Sequence, residues 1–139
     1  MKIIGFNFTK ISAEKKKDNF KDLKANNSIN ILNISEIKQE VIKTDEDILA
    51  VKFSFGLDYS PDIANIEFQG NILLSLEQKM AKEVLKKWKS EEVHDDFKIP
   101  LFNIIFRKSS LKALEIEDEL NLPLHIQMPA LRKSEDSKK

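Results

Sequence analysis

His94 and His125, the two histidines of this 139-residue chain, stand far apart, and neither lies beside a nucleophile motif, so no hydrolytic triad is expected. His94-Asp95-Asp96 sets three metal-ligand types in a row. Consecutive residues rarely converge on one ion without an adapted loop, so an acidic loop ahead of a helix is the expected meaning. His125 is expected to be structural. With no cysteine, thiolate ligands, a thiol nucleophile and disulfides are all excluded. Gly5, Gly56 and Gly70 are scattered, and neither a phosphate-cradling loop nor a dinucleotide fingerprint can be assembled from them.

Two acidic clusters remain. Asp45-Glu46-Asp47 falls between strand patterns, where charge favours a turn, whereas Glu115, Glu117, Asp118 and Glu119 fall near the end of a helix pattern, where the dipole disfavours acids. A catalytic carboxylate needs burial or a charged partner to shift its pKa, and nothing local supplies either. Both clusters are expected to be solvated. An enzyme is therefore not expected, nor a metal or cofactor.

Lys+Arg and Asp+Glu both number 23, so no long-range charge selects nucleic acid or an anionic membrane as partner. No run approaches a membrane span, and the Met1-Lys2-Ile3-Ile4-Gly5-Phe6 start reads as a strand rather than a signal peptide. A soluble, cytoplasmic protein is expected. One domain over 1–131 accounts for the length, followed by a charged, disordered tail over 132–139.

Hydropathy sets the elements. Ile4, Phe6 and Phe8 alternate with polar residues and predict a strand over Lys2–Ser12, followed by a long polar loop over Glu14–Asn27 that carries Phe20 and Leu23. A second strand is predicted over Ile29–Ile42. Its alternation is blurred, with Ile29 and Ile31 on one parity and Leu32 and Ile34 on the other, as a bulge or two apolar faces would produce. Leu49, Val51, Phe53, Phe55 and Leu57, then Ile66, Phe68, Ile72, Leu74 and Leu76, flank the turn Ser60-Pro61-Asp62 and predict an antiparallel hairpin with one buried face. Ser75 and Gln78 have capping-box spacing, which predicts a helix from Glu77 with Met80, Ala81, Val84, Leu85 and Trp88 on its apolar face. A polar connection over Ser90–Lys98 follows, and Pro100 is expected to open a second helix that runs to Leu120. The Pro-punctuated stretch Asn121–Leu131 must be extended.

That second helix holds more apolar surface than one packing face requires. Leu101, Phe102, Ile105, Phe106, Ala113, Ile116 and Leu120 make one broad arc, while Ile104, Leu111 and Leu114 lie on the far side beyond Asn103, Arg107, Ser110, Glu115 and Asp118. A surplus stripe implies a cover. A subunit, a client or a second layer of the monomer would each supply one.

The order of four antiparallel strands, a helix, a longer helix and a Pro-containing extended end resembles the SecB-like chaperone family. Phe8-Thr9-Lys10-Ile11-Ser12 is similar to the family's first strand, and Asn19-Phe20-Lys21-Asp22-Leu23 to a stretch of its crossover loop. Ile66–Leu76 resembles its last strand, Ile99–Arg107 its Pro-led long helix, and Leu122-Pro123-Leu124 with Met128-Pro129-Ala130-Leu131 its Leu/Pro-rich end. The first helix lacks the family's small-residue, Gly-containing sequence, and the tail is not acidic overall, which argues against contact with the export motor SecA.

The resemblance implies an α+β fold, a four-stranded antiparallel sheet followed by two C-terminal helices packed on one face. It also implies an ATP-independent holdase, assembled as a homotetramer (a dimer of dimers), that takes unfolded client polypeptides into hydrophobic grooves, in protein export or in general folding. Carried onto matching positions, it makes Phe20, Leu23, Ile29, Ile31, Leu32 and Ile34 client-contact candidates and assigns Ile104, Leu111 and Leu114 to an oligomer interface or groove wall. Core packing is the competing reading for each. Two rival functions stand beside the holdase: a hot-dog acyl-thioesterase, which wraps a long helix in a sheet but places that helix early in the chain, and a dedicated partner-binding module of toxin-antitoxin type, which would hold a single protein such as a toxin during its folding and use the same groove.

Overall fold

The computed structural model describes residues 1–38, 45–131 and 133. Four strands come first, β1 (Lys2–Lys15), β2 (Lys24–Ile37), β3 (Glu46–Ser60) and β4 (Ala64–Glu77), then α1 (Gln78–Lys89) and α2 (Asp95–Glu119). In space the strands lie in the order β1-β4-β3-β2, every neighbour antiparallel. The crossover from β1 to β2 therefore passes from one edge of the sheet to the other. The expected end of the second strand, 39–42, and the expected tail, 132–139 apart from Lys133, lie outside the described residues.

The alternation in β3 and β4 becomes one buried face. Leu49, Val51, Phe53, Phe55, Leu57 and Tyr59 stand opposite Leu74, Ile72, Gly70, Phe68, Ile66 and Ala64 in register, and every side chain in the two rows is buried, Gly70 having none. Gly70 is where the pattern needs a missing side chain. A Cβ there would collide with the Asn7 carbonyl oxygen and lie 2.7 Å from the Phe53 ring. The opposite face carries Lys52, Ser54, Glu67, Gln69 and Asn71, none of them buried, as a sheet with one wet side requires.

Register shifts explain the blurred edges. Leu32 is bypassed between the pairs Ile31–Phe53 and Asn33–Lys52, so Ile31 and Ile34, three apart, both face the buried side. In β1 the pairing skips Ile4 and Thr9, which puts Ile3, Phe6 and Phe8 on that side. Phe6 stacks on Phe53 at 5.2 Å and meets Phe8 edge-on.

The first helix starts within one residue of expectation but without the expected cap, and the second starts earlier. Ser75 pairs with Ile48 inside the sheet and its hydroxyl donates to Glu46, so β4 continues to Glu77 and no capping box forms. Strand pairing outweighs one local cap. α2 begins at Asp95, five residues ahead of Pro100, with His94 as N-cap, its Nδ1 accepting from the Asp96 N–H at 3.2 Å. Asp95 and Asp96 then sit in the first turn, where the helix dipole favours acids. Phe97, Leu101 and Ile105 follow at intervals of four and pack with Leu49, Val51, Phe53 and Ile72. This is the reason that the helix extends to include Phe97.

The second half of α2 presents small and polar groups inward. Ser109, Ser110, Ala113 and Glu117 are buried, while Leu111 is 60% exposed. Ser110, expected among the polar separators of the outer side, is thus part of the packed face. The sheet beneath is filled by Phe55, Phe68, Ile66 and Tyr59, and small side chains let the helix backbone approach it.

Candidate functional site

β2 is a sheet edge, and its inward side chains mark the border between sheet and α2. Phe20, Leu23 and Ile29, with Ile116 of α2 and Leu120 at its C-terminal cap, are half-buried against the cluster of Phe55, Leu57, Tyr59, Ile63 and Phe68. Ile29 and Ile31, with Phe102 and Ile104, are half-buried against the cluster of Phe53, Leu101 and Ile105. Ile29 belongs to both. The result is a seam of partly covered apolar side chains that follows β2 from Leu23 to Ile31 and faces α2.

Of the nine apolar candidates, the structure brings Phe20, Leu23, Ile29, Ile31 and Ile104 onto this seam. Ile34 is 4% exposed and belongs to the core cluster rather than to the seam. Leu32, 43% exposed, occupies the bulge and is not among the seam side chains. Leu111 is exposed and Leu114 half-buried, and neither is among the side chains packed on the two core clusters. A recess of about 600 Å³ between α1 and the start of α2, lined by Met1, Met80, Val84, Val93, Phe97 and Pro100, was not expected. Its signal was present in Phe97, four residues before Leu101.

Lys15 fastens the crossover to the helix end. Its Nζ donates to the Leu120 carbonyl at 2.9 Å, pairs with Asp18 at 2.6 Å and stands 5.7 Å from the centre of the Phe20 ring. A cation at a helix C-terminus is stabilised by the dipole as well as by the hydrogen bond, so one ammonium helps to position Phe20.

Glu117 overturns the expectation of a solvated acidic cluster. It is 0% exposed. The Tyr59 hydroxyl donates to its carboxylate and is shared with the Pro123 carbonyl at 2.8 Å. The His125 N–H donates to Oε2 at 3.0 Å, and His125 Nδ1 lies 2.5 Å from Oε1. An acceptor-only carboxylate places the ring proton on Nδ1, which leaves Nε2 buried with no partner among the described residues. Burial first, then the hydrogen bond to Glu117 and its charge, hold the Tyr59 phenol well above its ordinary value.

Local chain geometry builds this cluster. Asn121 adopts φ 54°, Leu122 N–H returns to the Glu117 carbonyl at 2.8 Å and Asn121 N–H to that of Asp118 at 3.3 Å, the Schellman pattern that reverses a chain after a helix. The reversal carries Leu122 into the core and sets Pro123 and His125 over Tyr59. With no exposed surface, the carboxylate is out of reach of a substrate. No three His, Cys, Asp or Glu side chains among the described residues are grouped as a metal requires, and no helix among them is long and apolar enough to cross a membrane.

No protein-family model matches this chain, and no curated protein matches it. Among solved structures, a SecB-like chaperone of Mycobacterium tuberculosis, in complex with a peptide from an antitoxin, superposes with a TM-score of 0.53 at 9% identity. The match covers 96% of this chain and 92% of that one. At this identity the likeness is one of fold alone, and the fold, four antiparallel strands followed by two helices, is SecB-like.

Proposed function

We propose that this protein is an ATP-independent holdase that binds extended, non-native polypeptide along the seam between β2 and α2. The observation that carries the reading is the row Phe20, Leu23, Ile29 and Ile31, apolar, half-covered and bordering a sheet edge that is unpaired among the described residues. Such a row gains about 25 cal/mol for each Å² of apolar surface that a client covers, before ordering costs. The edge of β2 offers main-chain groups to an extended segment, and β2 has no charged residue between Lys24 and Glu36 to repel a pairing strand.

The assembly we propose is a homotetramer, a dimer of dimers, in the cytoplasm. Exposed Ile3, Ile4 and Ile11 on the β1 edge and exposed Met80 on α1 support burial against further copies. A chaperone dedicated to one partner is a second reading, favoured by the antitoxin peptide held by the mycobacterial neighbour. Contact with SecA and a role in export are not part of the proposal.

The test is light scattering during dilution of a denatured protein into buffer without nucleotide. Near-stoichiometric amounts of this chain are expected to suppress aggregation. Unchanged aggregation of several unrelated proteins, with protection of one co-expressed partner, would select the dedicated reading.

A further inference from the structure

The stretch from Leu120 to Leu131 contains no Asp, Glu, Lys or Arg in a chain that is 33% charged. Its first half is anchored through Leu122, Pro123 and His125. Its second half is not. Among the described residues no hydrogen bond holds any residue from Ile126 to Leu131, and Met128 and Leu131 are exposed. An uncharged, Pro-containing segment of this kind is extended and apolar, the same chemistry as the client that the seam is proposed to take.

Reach decides where such an arm can go. Its root lies over Tyr59, which pairs with Ala25 of β2, and Phe55, four residues back along β3, pairs with Ile29. At about 3.4 Å per residue along the strand and 4.8 Å across it, Ile29 lies roughly 14 Å from the root. The six residues beyond His125 span up to about 20 Å when extended. The arm is therefore long enough to lie on Ile29 of its own chain.

We propose that Ile126–Leu131 is a tethered occupant of the seam, a self-inhibiting arm that a client must displace; this rests on the holdase reading above. A short tether gives the arm an effective concentration on the order of millimolar. Occupancy at that level covers apolar surface while no client is bound and sets a threshold that weak, partly folded polypeptides fail to cross. Glu117 is the positioning residue, because it fixes the point from which the arm starts.

The natural absence of cysteine permits a clean test. Leu131→Cys is combined with Ile29→Cys on the seam or, as a control, with Ser54→Cys on the opposite sheet face. Mild oxidation is expected to form an intramolecular disulfide at least tenfold faster in the seam pair. A globular protein kept unfolded by reduction and alkylation should slow that reaction, and M128D/L131D in the otherwise natural chain should bind it at least threefold more tightly. Equal rates for the two pairs would overturn the proposal, as would a covalent dimer, which would make a second copy the occupant. A fast seam cross-link in a protein that binds no unfolded chain, with or without the aspartates, upholds the docked arm and overturns the holdase reading instead.

Discussion

Tyr59, the last inward side chain of β3, donates its hydroxyl to the carboxylate of Glu117 in the final turn of α2, and both residues are fully buried. The contact joins the sheet to the end of the long helix, and through the Pro123 carbonyl and His125 it joins both to the C-terminal segment. A buried carboxylate is tolerable only when donors surround it. Here they come from β3 and from the chain reversal that the helix end itself creates.

Removing the acceptor should therefore cost more than a surface change. Glu117→Ala leaves both His125 donors without a partner and the Tyr59 hydroxyl with only the Pro123 carbonyl, and a loss of about 3 kcal/mol in unfolding free energy is expected. Glu117→Gln keeps an acceptor and should cost about half of that. Urea titration followed through the single tryptophan, Trp88, measures both. A loss below about 1 kcal/mol for the alanine would show that the cluster contributes little.

Tyr59 is the only tyrosine, so its phenolate absorbance reports this site alone. Its folded-state pKa is raised, by burial first and by Glu117 second, so folding stabilises the protonated phenol. The contribution is fully present below the unfolded value of about 10 and falls as pH rises above it, where the unfolded chain binds fewer protons. Phenolate absorbance should stay flat through pH 10 and then rise together with unfolding. Tyr59→Phe should flatten the alkaline loss. An ordinary titration in the folded state would contradict the buried geometry.

Much of the sheet was legible because its signals are local. The parity of Leu49–Leu57 and Ile66–Leu76 announced the buried face, and the parity change at Leu32 announced the bulge. The Glu117 cluster was not legible in the same way. Glu117 looks like Glu115, Asp118 and Glu119 in sequence, and its partners lie 58 and 8 residues away. A signal did exist in Tyr59, which continues the buried odd positions of β3 and so must find an acceptor for its hydroxyl. Pro100 misled because proline is common in a first turn, while Asp95-Asp96 was an equally good start signal.

Gly70 tests the close approach of β1. Gly70→Ala drives a methyl group against the Asn7 carbonyl oxygen, and backbone cannot yield as a flexible side chain can. The expected cost is about 2 kcal/mol, with faster hydrogen exchange in β1 than in β2. Gly56→Ala is the control, since its Cβ would meet only the Ser28 Oγ at 3.1 Å. Equal effects at the two positions would remove the argument that β1 is held where only glycine fits.

Ile31 and Ile34 separate binding from folding. They lie on the same side of β2 on either side of the bulge, yet Ile31 is half-buried on the seam and Ile34 is sealed in the core. Ile31→Asp, which can turn its carboxylate to water, should weaken binding of a labelled unfolded polypeptide about tenfold, or 1.4 kcal/mol, with the oligomer unchanged by size-exclusion light scattering. Ile34→Asp must bury a charge and should unfold the chain or shift its melting temperature sharply. If Ile31→Asp instead dissociates the oligomer, the seam is a subunit interface, and the unpaired edge of β2 is covered by another copy rather than by a client.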